Sequence, residues 1–147
     1  MLNRSTKYAL RSLVRMAGLA EGQWLTVAEL ARAEKMPRKF LERVVLSLNR
    51  GGLVVSRKGR LGGNRLAVAP GRITVSAVLR LMDGPLALVP CVSVTAYTRC
   101  TDCGSEEACC IRPVMKKARD AVAAVLDETT IADMVMPAKP AARRRRE

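Results

Sequence analysis

The chain has 147 residues, enough for one ordinary domain or a small domain with an appendage. Hydrophobic residues make up 49% and aromatic ones 3%, which excludes a wholly disordered chain and implies a core of Leu, Val, Ala and Met, best suited to helices. A formal net charge of +13 with no histidine favours a polyanionic partner, and it excludes Ser-His-Asp or Cys-His catalysis and every mixed Cys/His zinc site.

Residues 4–20 read as an amphipathic helix with Leu10, Leu13, Val14 and Ala17 on one face and Gly22 as its stop. Thr26 and Glu29 form a capping box for a second helix over 27–34, with Leu30 and Ala31 inward. Met36-Pro37 breaks the chain, and Pro37 suits the first turn of a third helix whose buried stripe is Leu41, Val44, Val45 and Leu48. Gly51-Gly52 stops that helix in a left-handed cap. Two short strands, 53–57 and 64–68, flank a glycine-rich tip over 58–63. Three helices and a β-hairpin, with a short break between helices two and three, make the winged helix-turn-helix arrangement.

Thr74 caps a fourth helix running to Met82, with Val75, Val78, Leu79 and Met82 as its stripe. Residues 85–110 form a loop that carries all five cysteines. A fifth helix over 112–126 presents Val114, Ala118, Ala121, Val122 and Val125 on one face, and Thr129-Thr130 starts a last short helix over 131–135.

Charge is unevenly spread along these elements. Residues 1–72 hold 15 Lys and Arg against 4 Asp and Glu, residues 73–137 hold 6 against 8, and residues 138–147 hold 5 against 1. With the third helix's apolar stripe inward, Lys39, Arg43, Leu46 and Arg50 face outward, and Arg38 and Glu42 lie on one flank. Cations near the start of such a helix reach base edges in the major groove; Glu42 can accept from cytosine or orient a neighbouring Arg. In the hairpin, Arg57, Lys58, Arg60 and Arg65 surround glycines that let backbone approach a phosphate. Four cations around one turn repel each other, so an anionic partner explains them better than a plain solvated turn. Arg4 and Lys7 can touch flanking phosphates. The partner expected from these patches is double-stranded DNA.

The start of the chain lacks a signal-peptide pattern and no run is long enough to span a bilayer, so a cytoplasmic location away from membranes is expected. Thiols stay reduced there, and five cysteines suggest metal or redox chemistry rather than staples. Cys91 is followed after eight residues by Cys100, after two by Cys103, after five by Cys109, and then directly by Cys110. Soft thiolates at chelating spacing select an iron–sulfur cluster or zinc. Adjacent cysteines seldom ligate one ion together, and Cys110 is expected where the next helix begins to pack, so Cys109 is the expected ligand of the last pair. A thiol redox enzyme using Cys100 and Cys103 would need a βαβ context, which is missing, so no enzymatic activity is expected.

Taken together, these segments resemble the Rrf2 family of winged-helix transcription regulators, from about Leu2 to Met134. The likeness rests on Ser5-Thr6-Lys7-Tyr8-Ala9-Leu10, Pro37-Arg38-Lys39-Phe40-Leu41-Glu42 and Gly52-Leu53-Val54. It continues in Arg60-Leu61-Gly62-Gly63-Asn64-Arg65-Leu66, Cys109-Cys110-Ile111-Arg112-Pro113-Val114-Met115 and Asp127-Glu128-Thr129-Thr130-Ile131-Ala132-Asp133. Asn64 stands where the family usually has Tyr, and Met115 where it usually has Trp. The resemblance implies a homodimer built on the fifth helix, a near-palindromic operator, and a cluster held by three loop cysteines with a variable fourth ligand. Those three correspond to Cys91, Cys103 and Cys109, with Cys100 as the fourth. The expectation is then a mainly α fold with a small β-wing, comprising a winged helix-turn-helix and a long dimerisation helix. Its segments are 1–72 for DNA binding, 73–136 for sensing and dimerisation, and 137–147 as a disordered basic tail. The expected function is repression controlled by a [2Fe-2S] or [4Fe-4S] cluster, with a zinc-stabilised or cluster-free regulator as the alternative.

Overall fold

The computed structural model describes residues 2–135, so the expected tail at 137–147 lies outside the described residues. Among these residues the elements are α1 (Arg4–Ala17), α2 (Val27–Glu34), α3 (Arg38–Arg50), β1 (Val54–Arg57), β2 (Gly63–Leu66), α4 (Val75–Met82), α5 (Arg112–Glu128) and α6 (Ile131–Met134). Short 3-10 turns occupy Pro70–Arg72 and Pro90–Val92. The architecture is mainly α, with β1 and β2 paired as one antiparallel hairpin.

α1 is the hub. It packs against α2, α3, α4, α6 and β2, and Leu13 at its centre is fully buried. Leu30 from α2, Leu41 and Leu48 from α3, Val54 from β1, Val78 from α4 and Ile131 from α6 join it in one core. Each such aliphatic side chain contributes about 1.5–3 kcal/mol on leaving water, so this cluster is the main source of stability. Tyr8 and Phe40 meet edge to face at 5.5 Å, fastening α1 to α3.

The capping signals read in the sequence act as expected. Thr26 Oγ1 accepts from the Glu29 N–H at 3.1 Å, and the Glu29 carboxylate accepts from the Thr26 N–H at 2.8 Å. Thr74 accepts from the Ala77 N–H at 3.2 Å and opens α4. Several boundaries differ. α1 ends at Ala17 rather than residue 20, because the Gly18 N–H turns back to the Arg15 carbonyl and Leu19 folds onto the core; Gly22 lies in the turn beyond. Pro37 is the residue before the first turn of α3, held extended at ψ 122°, and the left-handed turn comes at Lys35. Only the second glycine after α3, Gly52, is left-handed, at φ +73°. α5 runs on to Glu128 and α6 stops at Met134.

The hairpin strands are shorter than expected and one is displaced, β2 starting at Gly63 and ending at Leu66. The cause is tertiary. Leu25 pairs with Asn64 through two backbone hydrogen bonds of 3.0 and 2.8 Å, adding an isolated bridge at the hairpin's side. A Cβ on Gly63 would come within 2.9 Å of the Leu25 backbone, and one on Gly62 within 2.1 Å of the Arg57 carbonyl oxygen, so both positions demand glycine. No helix among the described residues is long and apolar enough to cross a membrane.

Candidate functional site

The turn before α3 presents that helix with Leu41, Val44, Val45 and Leu48 buried and Lys39, Arg43, Leu46 and Arg50 exposed. Arg38 and Glu42 pair at 3.1 Å across one helical turn, with both side chains at least half exposed. Such a pair adds little stability, and its effect here is to hold the Arg38 guanidinium in place. Arg4 and Lys7 are exposed on the first turn of α1. Among the described residues no carboxylate lies within 4.0 Å of Arg4, Lys7, Lys39, Arg43, Lys58 or Arg60. These cations are available to an anionic partner.

The pleat of the wing divides its side chains. Val54 and Asn64 are buried on the core side, whereas Val55, Arg57 and Arg65 face outward. Asn64 Nδ2 donates to the Leu25 carbonyl at 3.1 Å, and its Oδ1 accepts from the Ser56 hydroxyl at 2.7 Å. Asn49 of α3 donates to the Val54 carbonyl at 3.1 Å, tying the recognition helix to the wing. Lys58, Arg60 and Leu61 project at the exposed tip. Arg57 and Arg65 do not project freely, because both lie over the Trp24 ring. Sequence reasoning missed Trp24. Its signal was weak: the chain's single Trp, outside any periodic stripe.

The cysteine loop leaves α4, makes the Pro90–Val92 turn against α5, and returns to the start of α5. It encloses a cavity of ≈ 490 Å³ lined by Cys91, Cys100, Cys103 and Cys109, with Asp102 and Arg112 among its other walls. Cys110 is exposed and does not line it. Cys91 is buried and the other three are partly buried; all are free thiols. The Cys100 thiol is pushed above its usual pKa, first by its hydrogen bond with Cys91 and then by burial. The rim is ordered by local bonds. The Cys103 N–H donates to the Cys100 carbonyl at 3.2 Å, and Arg99 donates to the Cys103 and Gly104 carbonyls at 3.1 and 3.0 Å. Tyr97 donates to Glu106 at 2.6 Å, and Glu106 stands 3.7 Å from the Arg112 guanidinium.

No group of three or more Cys, Asp or Glu side chains among the described residues is gathered closely enough to hold a metal ion. The donor chemistry nevertheless fits an iron–sulfur cluster. Four soft thiols line one cavity, and Arg112, another of its lining residues, has a buried Nε without a hydrogen-bond partner. A buried donor without an acceptor is costly, and thiolates are the donors that such clusters take.

α5 has no buried residue. It packs on α4 and sets Leu126 against the core, and it is further fastened by Arg80–Asp127 at 2.9 Å and by Arg119, which donates to the Val92 carbonyl beside Cys91. Its outward stripe is apolar, with Val114 58%, Val122 49% and Val125 62% exposed.

Comparison with known proteins matches residues 2–137 to the Rrf2 family, described as an iron-dependent transcriptional regulator. An Rrf2-like HTH-type transcriptional regulator of Rhodobacter capsulatus is 38% identical over 146 residues, covering 97% of each chain. Among solved structures, CymR (YrzC), the global cysteine regulator of B. subtilis, is similar at TM-score 0.75 and 27% identity over 92% of this chain and 95% of that one. T. potens IscR shares the fold at TM-score 0.71 and 21% identity, over 92% and 85%. The family and these relatives are regulators rather than enzymes, which agrees with the absence of a catalytic pattern in the sequence. The chain belongs to the Rrf2 family of transcriptional regulators.

Proposed function

We propose that the protein is a cytoplasmic homodimeric repressor that reads a near-palindromic DNA operator under the control of an iron–sulfur cluster. The observation that carries the cluster is the cavity lined by Cys91, Cys100, Cys103 and Cys109, with Arg112 among its other walls. Cys91, Cys103 and Cys109 serve as ligands and Cys100 as the fourth, in a [2Fe-2S] or [4Fe-4S] cluster. When bound, such a cluster supplies a centre whose redox state or integrity responds to iron, oxidants or nitric oxide. The thiols of this loop must lose their protons and draw together to hold it.

Residues 73–136 thus sense and dimerise, and residues 1–72 read. Lys39 and Arg43, with Arg38 held by Glu42, face base edges in the major groove. Arg4, Lys7, Arg57, Lys58, Arg60 and Arg65 take backbone phosphates. The coupling runs through the chain's own contacts. Cys91 lies in the turn that packs on α5, and Arg119 of α5 holds the Val92 carbonyl. A change in the loop therefore bears on α5, whose exposed Val114/Val122/Val125 stripe meets its copy in the dimer and sets the spacing of the two recognition helices.

Anaerobic purification followed by iron, sulfide and zinc analysis tests this. The expected protein is coloured. Cys91→Ser, Cys103→Ser and Cys109→Ser each abolish the colour, Cys100→Ser weakens it, and Cys110→Ser leaves it. A colourless protein with one zinc and no sulfide would make the loop a structural staple, and one with no metal would make this a cluster-free regulator.

A further inference from the structure

The guanidinium carbons of Arg57 and Arg65 each lie 4.5 Å from the centroid of the Trp24 ring. Two like charges gathered on one ring repel each other, and among the described residues no carboxylate lies within 4.0 Å of either. The negative face of the indole offsets that repulsion in part, and an anion is the partner the pair lacks. The backbone sets this arrangement. Because Leu25 bridges Asn64, Trp24 falls beside Arg65 in the antiparallel register. Arg57 stands diagonal to Arg65 on the same outward face of the hairpin. The close approach of Gly63 to the Leu25 backbone is what lets the two segments meet. Trp24 is half-buried.

We propose that Trp24 is a positioning residue for DNA binding, whose indole gathers Arg57 and Arg65 so that together they bind a backbone phosphate. This rests on the DNA-binding reading above. A guanidinium stacked on a ring has lost rotamer freedom before the anion arrives; Arg57 also donates one N–H to the Leu61 carbonyl, and the pair's remaining N–H groups are left for phosphate oxygens. Trp24 touches no nucleic acid itself and acts through the two arginines.

The test uses the full chain, a short mixed-sequence DNA duplex and a salt series, with Trp24→Leu and Trp24→Phe beside wild type. Leu keeps apolar bulk without a π face, and Phe keeps the face. Trp24→Leu is expected to lose about tenfold in low-salt affinity, with Trp24→Phe retaining most of it. The slope of log affinity against log salt should also become shallower for Trp24→Leu, by about 1 to 2. Melting temperatures are measured in parallel, since a merely structural role lowers affinity in step with stability and leaves the slope alone. Wild-type binding together with an unaltered Trp24→Leu slope overturns this role alone. A wild-type protein that bound no duplex would overturn the DNA-binding reading, and this role with it.

Discussion

Leu13 and Val125 sit at comparable places, each on the apolar stripe of its helix, yet Leu13 is fully buried and Val125 is 62% exposed. The contrast extends to the elements around them. α1 to α4 and α6 close one core, whereas α5 has no fully buried residue and reaches that core through the partly buried Leu126, its packing on α4 and a few polar contacts. The first region is finished by its own side chains. Among the described residues the second carries two unfinished features, an apolar helix face and a cavity lined by thiols, which the proposed dimer and cluster would complete. Rigidity suits a reader that must hold cations in register, and an unfinished half suits a sensor whose state must change.

The sharpest way to test this contrast is a matched pair of truncations. Leu13→Ala should cost about 2–5 kcal/mol of stability through its cavity. Val125→Ala, on a monomeric background, should stay within about 0.5 kcal/mol. Urea unfolding reads both, and equal losses would mean that α5 belongs to the core. Next in size, Val122→Glu should split the dimer and lower operator affinity about 10²-fold, because two linked half-sites become independent. Sedimentation velocity reports the state of assembly, and an intact dimer would place the interface elsewhere.

Within the reader, Arg43→Ala should cost about 1–3 kcal/mol on a matched operator and relax its sequence preference. Arg60→Ala should weaken matched and unmatched duplexes alike. Competition binding separates the two, and an unchanged operator affinity in the double variant would remove both residues from the interface.

The smallest effect belongs to the caps. Thr26→Ala should cost about 1 kcal/mol. The backbone hydrogen bond from Thr26, with the Thr26 hydroxyl behind it, holds the Glu29 carboxyl below its ordinary pKa. The folded value lies below the unfolded one, so this contribution is present above the unfolded range and is lost as pH falls through the folded value. Glu29→Gln should therefore flatten the acid side of the stability–pH curve slightly.

The sequence made the local features legible. Thr26/Glu29 and the Leu41/Val44/Val45/Leu48 stripe needed only short-range rules, and α2 and α3 follow them. What stayed hidden was set by contacts distant in the chain. The shift of β2 depends on Leu25 meeting Asn64, 39 residues away. Arg57 and Arg65 read as free wing cations, and only the fold reveals that Trp24 gathers them. The α5 stripe was visible as apolar, but its exposure among the described residues was not. Cysteine spacing suggested chelation, yet spacing alone could not show that Cys91 is buried and lines one cavity with Cys100, Cys103 and Cys109.

The coupling between the two regions is measured most directly with one operator, selected from a random duplex pool, and one preparation of protein. Its affinity is determined anaerobically for the cluster-loaded protein and again after the iron has been removed, with dimerisation monitored in both states. The account predicts a difference of about tenfold or more between the two states, with both still dimeric. Equal affinities in the loaded and stripped states would contradict control of the reader by the cysteine loop.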